Sequence, residues 1–223
     1  MATGAPRRGR SLMPRTRPHV GLEPILVDLM TGDVEIDTAA VSVLDAAALL
    51  LREHGLRGWS MDDVADQAGL GRMTVYRRFA SRDDLVHAAL ARELRETLAA
   101  IDGAARAHHS LEDKIIEGGL VALAALRGSL VEQLLHDDPA TFLPFVTTGA
   151  GPLLAIARQV LVAGATSAGV HADPDRLAEL AEATARLSLS FILTRETVLP
   201  VHDEHALRAS LRRIVRPMLS SLA

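Results

Sequence analysis

The sequence predicts an all-α protein, and three observations predict it. Its apolar residues, 48% of the 223, are mostly alanine, leucine and valine, and alanine and leucine lead the helix-forming scale. Start and stop signals recur: a serine or aspartate stands before an apolar periodic run and a glycine or proline after it. No stretch alternates apolar and polar residues with a strand's period of two, and there is no internal repeat.

Composition also excludes several classes. Charged residues make up 23%, a globular balance, and the length suits one large domain or a small one joined to a larger. The absence of cysteine removes disulfides, thiolate zinc sites and cysteine nucleophiles, which suits a reducing compartment. Apolar runs such as LVALAAL fall far short of the roughly 18 to 20 residues that cross a bilayer. No charge-free apolar segment follows the N-terminal arginines, so a cleaved leader is not expected. A cytoplasmic protein without membrane contact is expected.

Residues 1–37 form an extension of two halves. Met1 to Pro18 hold five arginines, three prolines and no acid, the composition of a disordered tail or of a basic arm that settles on nucleic acid. Glu23, Asp28, Asp33, Glu35 and Asp37 follow, with no arginine or lysine among them. A first helix then starts at Thr38, with Val41, Leu44, Ala48 and Leu51 on one face, and closes before Gly55. Ser60 caps a second, with Asp63 at the capping-box position, over about Met61 to Ala68. Gly69 stops it, and Arg72 to Phe79 form a third. Ser81 caps a long fourth through Leu85, Leu90, Leu94, Leu98 and Ile101, bounded by Gly103.

Beyond Gly103 the same punctuation continues. Ser110 caps a helix to Leu126, a short one covers about Leu130 to His136, and Pro139 and Pro144 interrupt the chain. Further helices cover about Pro152 to Ala168, Pro174 to Thr197 and Asp203 to Leu219.

Two short helices joined by a glycine-containing turn of three residues have the sequence form of a helix-turn-helix. Ala65 is small where the second helix must pass close, and Gly69 can take a positive φ. With Val75 and Phe79 turned inward, Arg72, Met73, Thr74, Arg77 and Arg78 are left outside. Arginine can bond guanine O6 and N7 together, threonine and tyrosine hydroxyls suit phosphate oxygens, and the helix's positive dipole end suits an anion. Thr38 to Leu94 carry seven arginines against eight acids, so the domain has no overall basic bias. The bias is local: Gly69 to Arg82 hold four arginines and no acid.

The stretch SMDDVADQAGLGRMTVYRRFASRDDLV resembles the DNA-binding region of the tetracycline-repressor-like (TetR) family of bacterial transcriptional regulators. The resemblance runs from Val41 to about Leu94, through the Ala-Gly turn, the Thr-x-Tyr-x-x-Phe of the recognition helix and Ser-Arg-Asp-Asp-Leu. It implies a three-helix DNA-binding domain over 38–84 and a larger helical effector-binding and dimerisation domain over 85–223. Tyr76 and Thr74 would contact phosphates, Arg82 stands where a lysine usually meets the backbone, and Arg72, Met73, Arg77 and Arg78 would face the groove. Ser60 and Gly71 are counted with them as DNA-facing. Gly71 departs from the usual capping serine, and Asp62 and Asp63 would repel nearby phosphate, so no base contact is assigned to their helix.

The resemblance further implies homodimerisation through helices 174–197 and 203–219, with Leu177, Leu180, Leu187, Phe191, Leu207, Leu211, Ile214 and Leu219 as their apolar faces. Those faces equally suit burial within one subunit. The stretch DDPATFLPFVTTGAGP is either a pocket wall or a loop whose Phe142 and Phe145 plug the core. With Phe191, they are the aromatic candidates for an effector site, and few buried-looking charges nearby favour a mostly apolar effector. Neither cofactor nor metal is expected: His108, His109, His136, His202 and His205 lack ligand spacing. GxSxG, Walker and GxGxxG motifs are absent, so no enzyme is expected.

The function expected is a repressor that binds a pseudo-palindromic double-stranded operator as a homodimer and leaves it when a small effector enters. Dimeric readers need recognition helices roughly 34–36 Å apart, so a modest swing of the helix beginning at Ser81 would forbid docking. The alternatives are a small-molecule-binding protein with a vestigial helix-turn-helix and a DNA-binding regulator that needs no ligand.

Overall fold

Residues 37–220 are described in the computed structural model, apart from 168 and 195; for Leu126, Thr141, Phe145 and Ile192 only the backbone is. Ten helices and no strand occur among them. They are α1 (Thr38–His54), α2 (Met61–Ala68), α3 (Arg72–Arg78), α4 (Arg82–Arg106), α5 (Leu111–Leu126), α6 (Leu130–Asp137), α7 (Pro139–Val146), α8 (Gly151–Ser167), α9 (Pro174–Leu193) and α10 (Glu204–Ser220). The basic and acidic halves of the extension lie outside the described residues, apart from Asp37.

The starts follow from local chemistry. Asp37 accepts the Ala40 N–H at 2.7 Å, Ser60 and Asp63 form a reciprocal capping box, and Ser81, Ser110 and Ser129 each accept the N–H three residues on. Each satisfies a donor that a helix N-terminus leaves without an intrahelical partner.

Several interiors differ from the sequence reading. The buried stripe of α1 is Ala40, Val43, Leu44, Ala47, Leu50 and Leu51, whereas Val41 is 39% exposed. The stripe is turned by about one residue because alanines share the buried face. Gly103 does not end α4, which runs on to Arg106. One interior glycine costs about 1 kcal/mol against alanine, less than packing along α5 returns. Pro139 opens α7 at its first position, where no N–H is needed, and Pro144 sits inside it. The stretch read as a pocket wall or a connecting loop is thus helical over Pro139–Val146, and α9 stops at Leu193, four residues before Thr197.

The first core gathers Val43, Leu51, Val64, Val75, Leu85 and Leu90 from α1 to α4, and also Leu130 and Leu134 of α6 and Phe142 of α7. A division after residue 84 therefore falls within one helix and one core. Polar bonds reinforce that junction. Glu93 of α4 accepts Arg52 Nη2 and the Leu130 N–H, both at 2.7 Å, Gln133 donates to the Arg52 carbonyl, and Arg57 pairs with Asp138 at 2.9 Å. Burial pushes the Glu93 carboxyl above its ordinary range, its contacts with the Leu130 N–H and Arg52 partly offsetting this.

Two smaller cores hold the rest. Ile116, Leu120 and Leu207 join α5 to α10, and Ala150, Leu154 and Ala185 join α8 to α9. A ladder of ion pairs fixes α10 on α5: Arg208 to Glu117 at 2.6 Å, Arg212 to Asp113 at 2.7 Å, and Arg216 to Glu112 at 3.1 Å.

Candidate nucleic-acid interface and adjoining cavity

Gly69 ends α2 in the left-handed region at φ 65°, its N–H reaching the carbonyls of Ala65 and Asp66. A side chain there would be strained, so glycine sets the turn. Val75, fully buried, fastens α3 to the first core, with Leu70 and Phe79 packed around it. Gly71 precedes α3 with no side-chain cap, and a Cβ there would meet nothing within 4 Å. A serine would fit.

The sequence-predicted DNA-facing residues divide by circumstance. Met73 is 80% exposed, and Arg77 makes no hydrogen bond or ion pair among the described residues. The hydroxyls of Thr74 and Tyr76 are likewise unengaged there. Arg72 meets Asp62 at 2.9 Å, with its guanidinium carbon 5.3 Å from the centre of the Tyr76 ring. Arg78 is tied back to Asp37 and to the Thr74 carbonyl, leaving its side chain 18% exposed. The Arg78 guanidinium, bonded to Asp37, holds that carboxyl down at about 2. The Ser60 hydroxyl is occupied, donating to Asp63 at 2.7 Å and accepting the Asp63 N–H at 3.3 Å.

Arg82 differs most from expectation. Its guanidinium carbon lies 4.1 Å from the centre of the Trp59 ring, Nη2 donates to the Leu56 carbonyl, and Nε is buried without a partner. Trp59 is itself fixed by Nε1 donating to the Gly55 carbonyl at 2.9 Å. Burial pulls Arg82 below its ordinary value, with Asp83 acting against that, yet an arginine stays charged. The side chain fastens the start of α4 to the α1–α2 link.

The aromatic effector candidates separate too. Phe142 is buried in the first core and lines neither cavity, because α7 folds back onto α6. The Phe145 side chain lies outside the described residues. Phe191 lines a cavity of about 120 Å³ between α5, α9 and α10. A larger cavity, about 250 Å³, lies between α4, α5, α8 and α9. Its walls include Leu98, Ile101, Ile115, Leu154 and Leu161, none of them singled out from the sequence as pocket residues. The legible signal was the Gly118-Gly119 pair: a Cβ on Gly118 would press Ile101 at 3.3 Å, whereas one on Gly119 would meet open space. The charged members are Asp102 and Arg106, paired at 2.8 Å, and Lys114, which has no ion pair among the described residues. No group of metal-ligating side chains occurs among the described residues, and no described helix is long and apolar enough to cross a membrane.

A left-handed turn glycine, a docked α3 and an outward row of arginine, methionine and hydroxyls define a helix-turn-helix DNA-binding protein. Comparison with known proteins narrows the class. Residues 43–89 match the family described as bacterial regulatory proteins, tetR family, and residues 119–217 match the tetracyclin repressor C-terminal domain. The two matches together span well over half of the chain. It belongs to the TetR family, as a DNA-binding helix-turn-helix transcriptional regulator and not an enzyme. Among its relatives, the HTH-type transcriptional regulator AlkX of Mycobacterium tuberculosis H37Rv is 25% identical over 197 residues, 79% of this chain and 82% of the relative. The crystal structure of the TetR family repressor AlkX from Dietzia sp. strain DQ12-45-1b, implicated in biodegradation of n-alkanes, matches with a TM-score of 0.60. It is 26% identical over 82% of this chain and 98% of that one. A transcriptional regulator from Rhodococcus sp. RHA1 shares the fold at a TM-score of 0.52 and 22% identity, over 81% of this chain and 97% of its own.

Proposed function

We propose that the chain is a repressor that binds a pseudo-palindromic operator as a homodimer in the cytoplasm and is released by a small, mostly apolar effector. One observation carries the reading. α4 begins at Arg82, fastened to the α1–α2 link that leads into the helix-turn-helix, and without interruption supplies Leu98 and Ile101 to the wall of the larger cavity. A rigid helix joins DNA reader to cavity over roughly 24 Å at the helical rise per residue. An effector that prefers a different α4 position therefore shifts the spacing of the two recognition helices, by no more than its differential affinity allows.

In this reading Met73 and Arg77 face the groove, Thr74 and Tyr76 position the helix on phosphates, and Arg72 reads a base edge while held by Asp62. Ser60, Gly71, Arg78 and Arg82 lie close by with mainly structural duties. The apolar walls support an apolar effector, and so does the connection of the Dietzia relative with n-alkane degradation. Leu187 and Ile214 are exposed on α9 and α10, which suits a second copy packing there, whereas Leu177 and Leu207 are buried within the subunit.

The test is selection of duplexes from a random pool by the full chain, followed by titration of the selected sequence with an apolar dye such as N-phenyl-1-naphthylamine. An inverted repeat bound by two protomers, with release on dye addition, is the expected result. A protein that enriches no sequence while still binding the dye would favour the vestigial helix-turn-helix reading instead.

A further inference from the structure

Asp62 and Arg72 face each other across the turn between α2 and α3. Arg72 Nη1 donates to Asp62 Oδ2 at 2.9 Å, and Nε lies 2.9 Å from Oδ1. The Tyr76 ring, one helical turn along α3, backs the same guanidinium with 5.3 Å between carbon and centroid. The arginine is thus gripped along one edge and supported on one face. Nη2, which makes no hydrogen bond among the described residues, is left with two N–H groups for an outside partner.

Asp62 suits the positive end of the α2 dipole, as any first-turn acid does, but that calls for no partner on α3. The capping duty is filled by Asp63, which accepts the Ser60 N–H and hydroxyl at 2.7 Å. Stability does not need the pair either, since both side chains are more than half exposed, at 62% and 53%, and such ion pairs contribute little. An acid on the DNA-facing side weakens attraction to phosphate. What it supplies is orientation: a flexible arginine loses freedom when it binds a base, and one already held loses less.

We infer that Asp62 is a positioning residue for sequence reading: with Tyr76 it holds the Arg72 guanidinium in one orientation, so that Arg72 selects guanine at one position of each half-site. The inference rests on α3 being the DNA-reading helix. A held guanidinium offers its remaining N–H groups to guanine O6 and N7 together, which no other base edge matches. The competing account makes the pair a mask, with Asp62 neutralising Arg72 until DNA pulls them apart.

The experiment carries full-length wild-type, Asp62→Ala, Asp62→Asn and Arg72→Lys proteins through selection on a random duplex pool. Each is then titrated on the selected sequence and its single-base variants at fixed salt. Wild type is expected to prefer guanine at one half-site position by about tenfold. That preference should fall to about twofold or less in Asp62→Ala and Arg72→Lys and return in part in Asp62→Asn, whose amide oxygen still accepts. Preferences at all other positions should stay. Unchanged thermal unfolding certifies the variants, and Asp62→Asn carries the test if the alanine variant does not fold. A guanine preference untouched in Asp62→Ala overturns the inference, and a uniform gain of affinity with that preference intact is the behaviour of a mask; a gain of affinity that comes with loss of the preference is the lost repulsion of phosphate and upholds it. Wild-type protein that enriches no motif defeats the DNA-reading assignment itself, a separate and recognisable failure.

Discussion

Arg77 and Arg78 are neighbours in sequence with opposite circumstances. Arg77 is in no ion pair among the described residues, whereas Arg78 is folded back onto Asp37. Arg77→Ala should therefore weaken operator binding about tenfold and alter which base is preferred at one position, read by titration on the selected sequence and its single-base variants. Arg82→Ala should behave otherwise. Losing the contact with the Trp59 ring and the Leu56 carbonyl should destabilise the fold by about 1–2 kcal/mol in chemical denaturation. Unchanged stability with weakened DNA binding would make it a plain phosphate contact. The outward residues of α3 were legible because Val75 and Phe79 fix which side faces in. Their partners were not, because Asp62 is ten residues from Arg72 and Asp37 is 41 from Arg78. Only the tertiary fold brings such pairs together.

At the scale of elements, the α5–α10 ladder is an electrostatic clasp with a definite pH dependence. Glu112 is held below the usual carboxylate range by Arg216, and Glu117 by Arg208. Asp113 is held down by the Ser110 hydroxyl first, with Arg212 adding to it. In the unfolded chain these groups titrate near about 4, so between that value and their lower folded values the unfolded state binds more protons. Their stabilisation is complete above the unfolded value and fades as pH falls through the folded ones. The melting temperature should therefore drop from pH 6 to pH 3, with a shallower drop in Arg208→Ala. Glu93, pushed up by burial, works in the opposite sense and reduces the net slope. Element starts were legible because serine and aspartate caps are local chemistry, as at Ser60, Ser81 and Ser110. Breaks at Gly103 and Pro144 were misread because tertiary packing outweighs the local cost of either residue.

At the scale of the molecule, the proposed coupling between cavity and DNA reader would run along α4. Gly119 lines both cavities and a Cβ there meets nothing within 4 Å, so Gly119→Leu should take up cavity space. Dye binding should be lost while operator affinity stays within about twofold, measured by fluorescence and by titration of labelled DNA. Retained dye binding would place the effector elsewhere. If α9 and α10 form the proposed dimer interface, replacing Leu187 and Ile214 together with glutamate should yield monomers in sedimentation and abolish operator binding, because charge at an apolar interface is left without a partner. The all-helical architecture was legible from capping and composition. The cavity was not, since its walls come from four helices whose alanines, leucines and glycines read as ordinary core.

Lys114 is the single lysine of the chain, and it stands at the rim of that cavity. With no cysteine present, its amine is the one side-chain nucleophile of its kind, so an amine-directed reagent labels one known place beyond the chain's α-amino group. Reductive methylation with a carbon-13 label would turn that place into one nuclear magnetic resonance signal. Any occupant of the cavity would be reported by its shift, without a mutation and whatever the occupant's own chemistry.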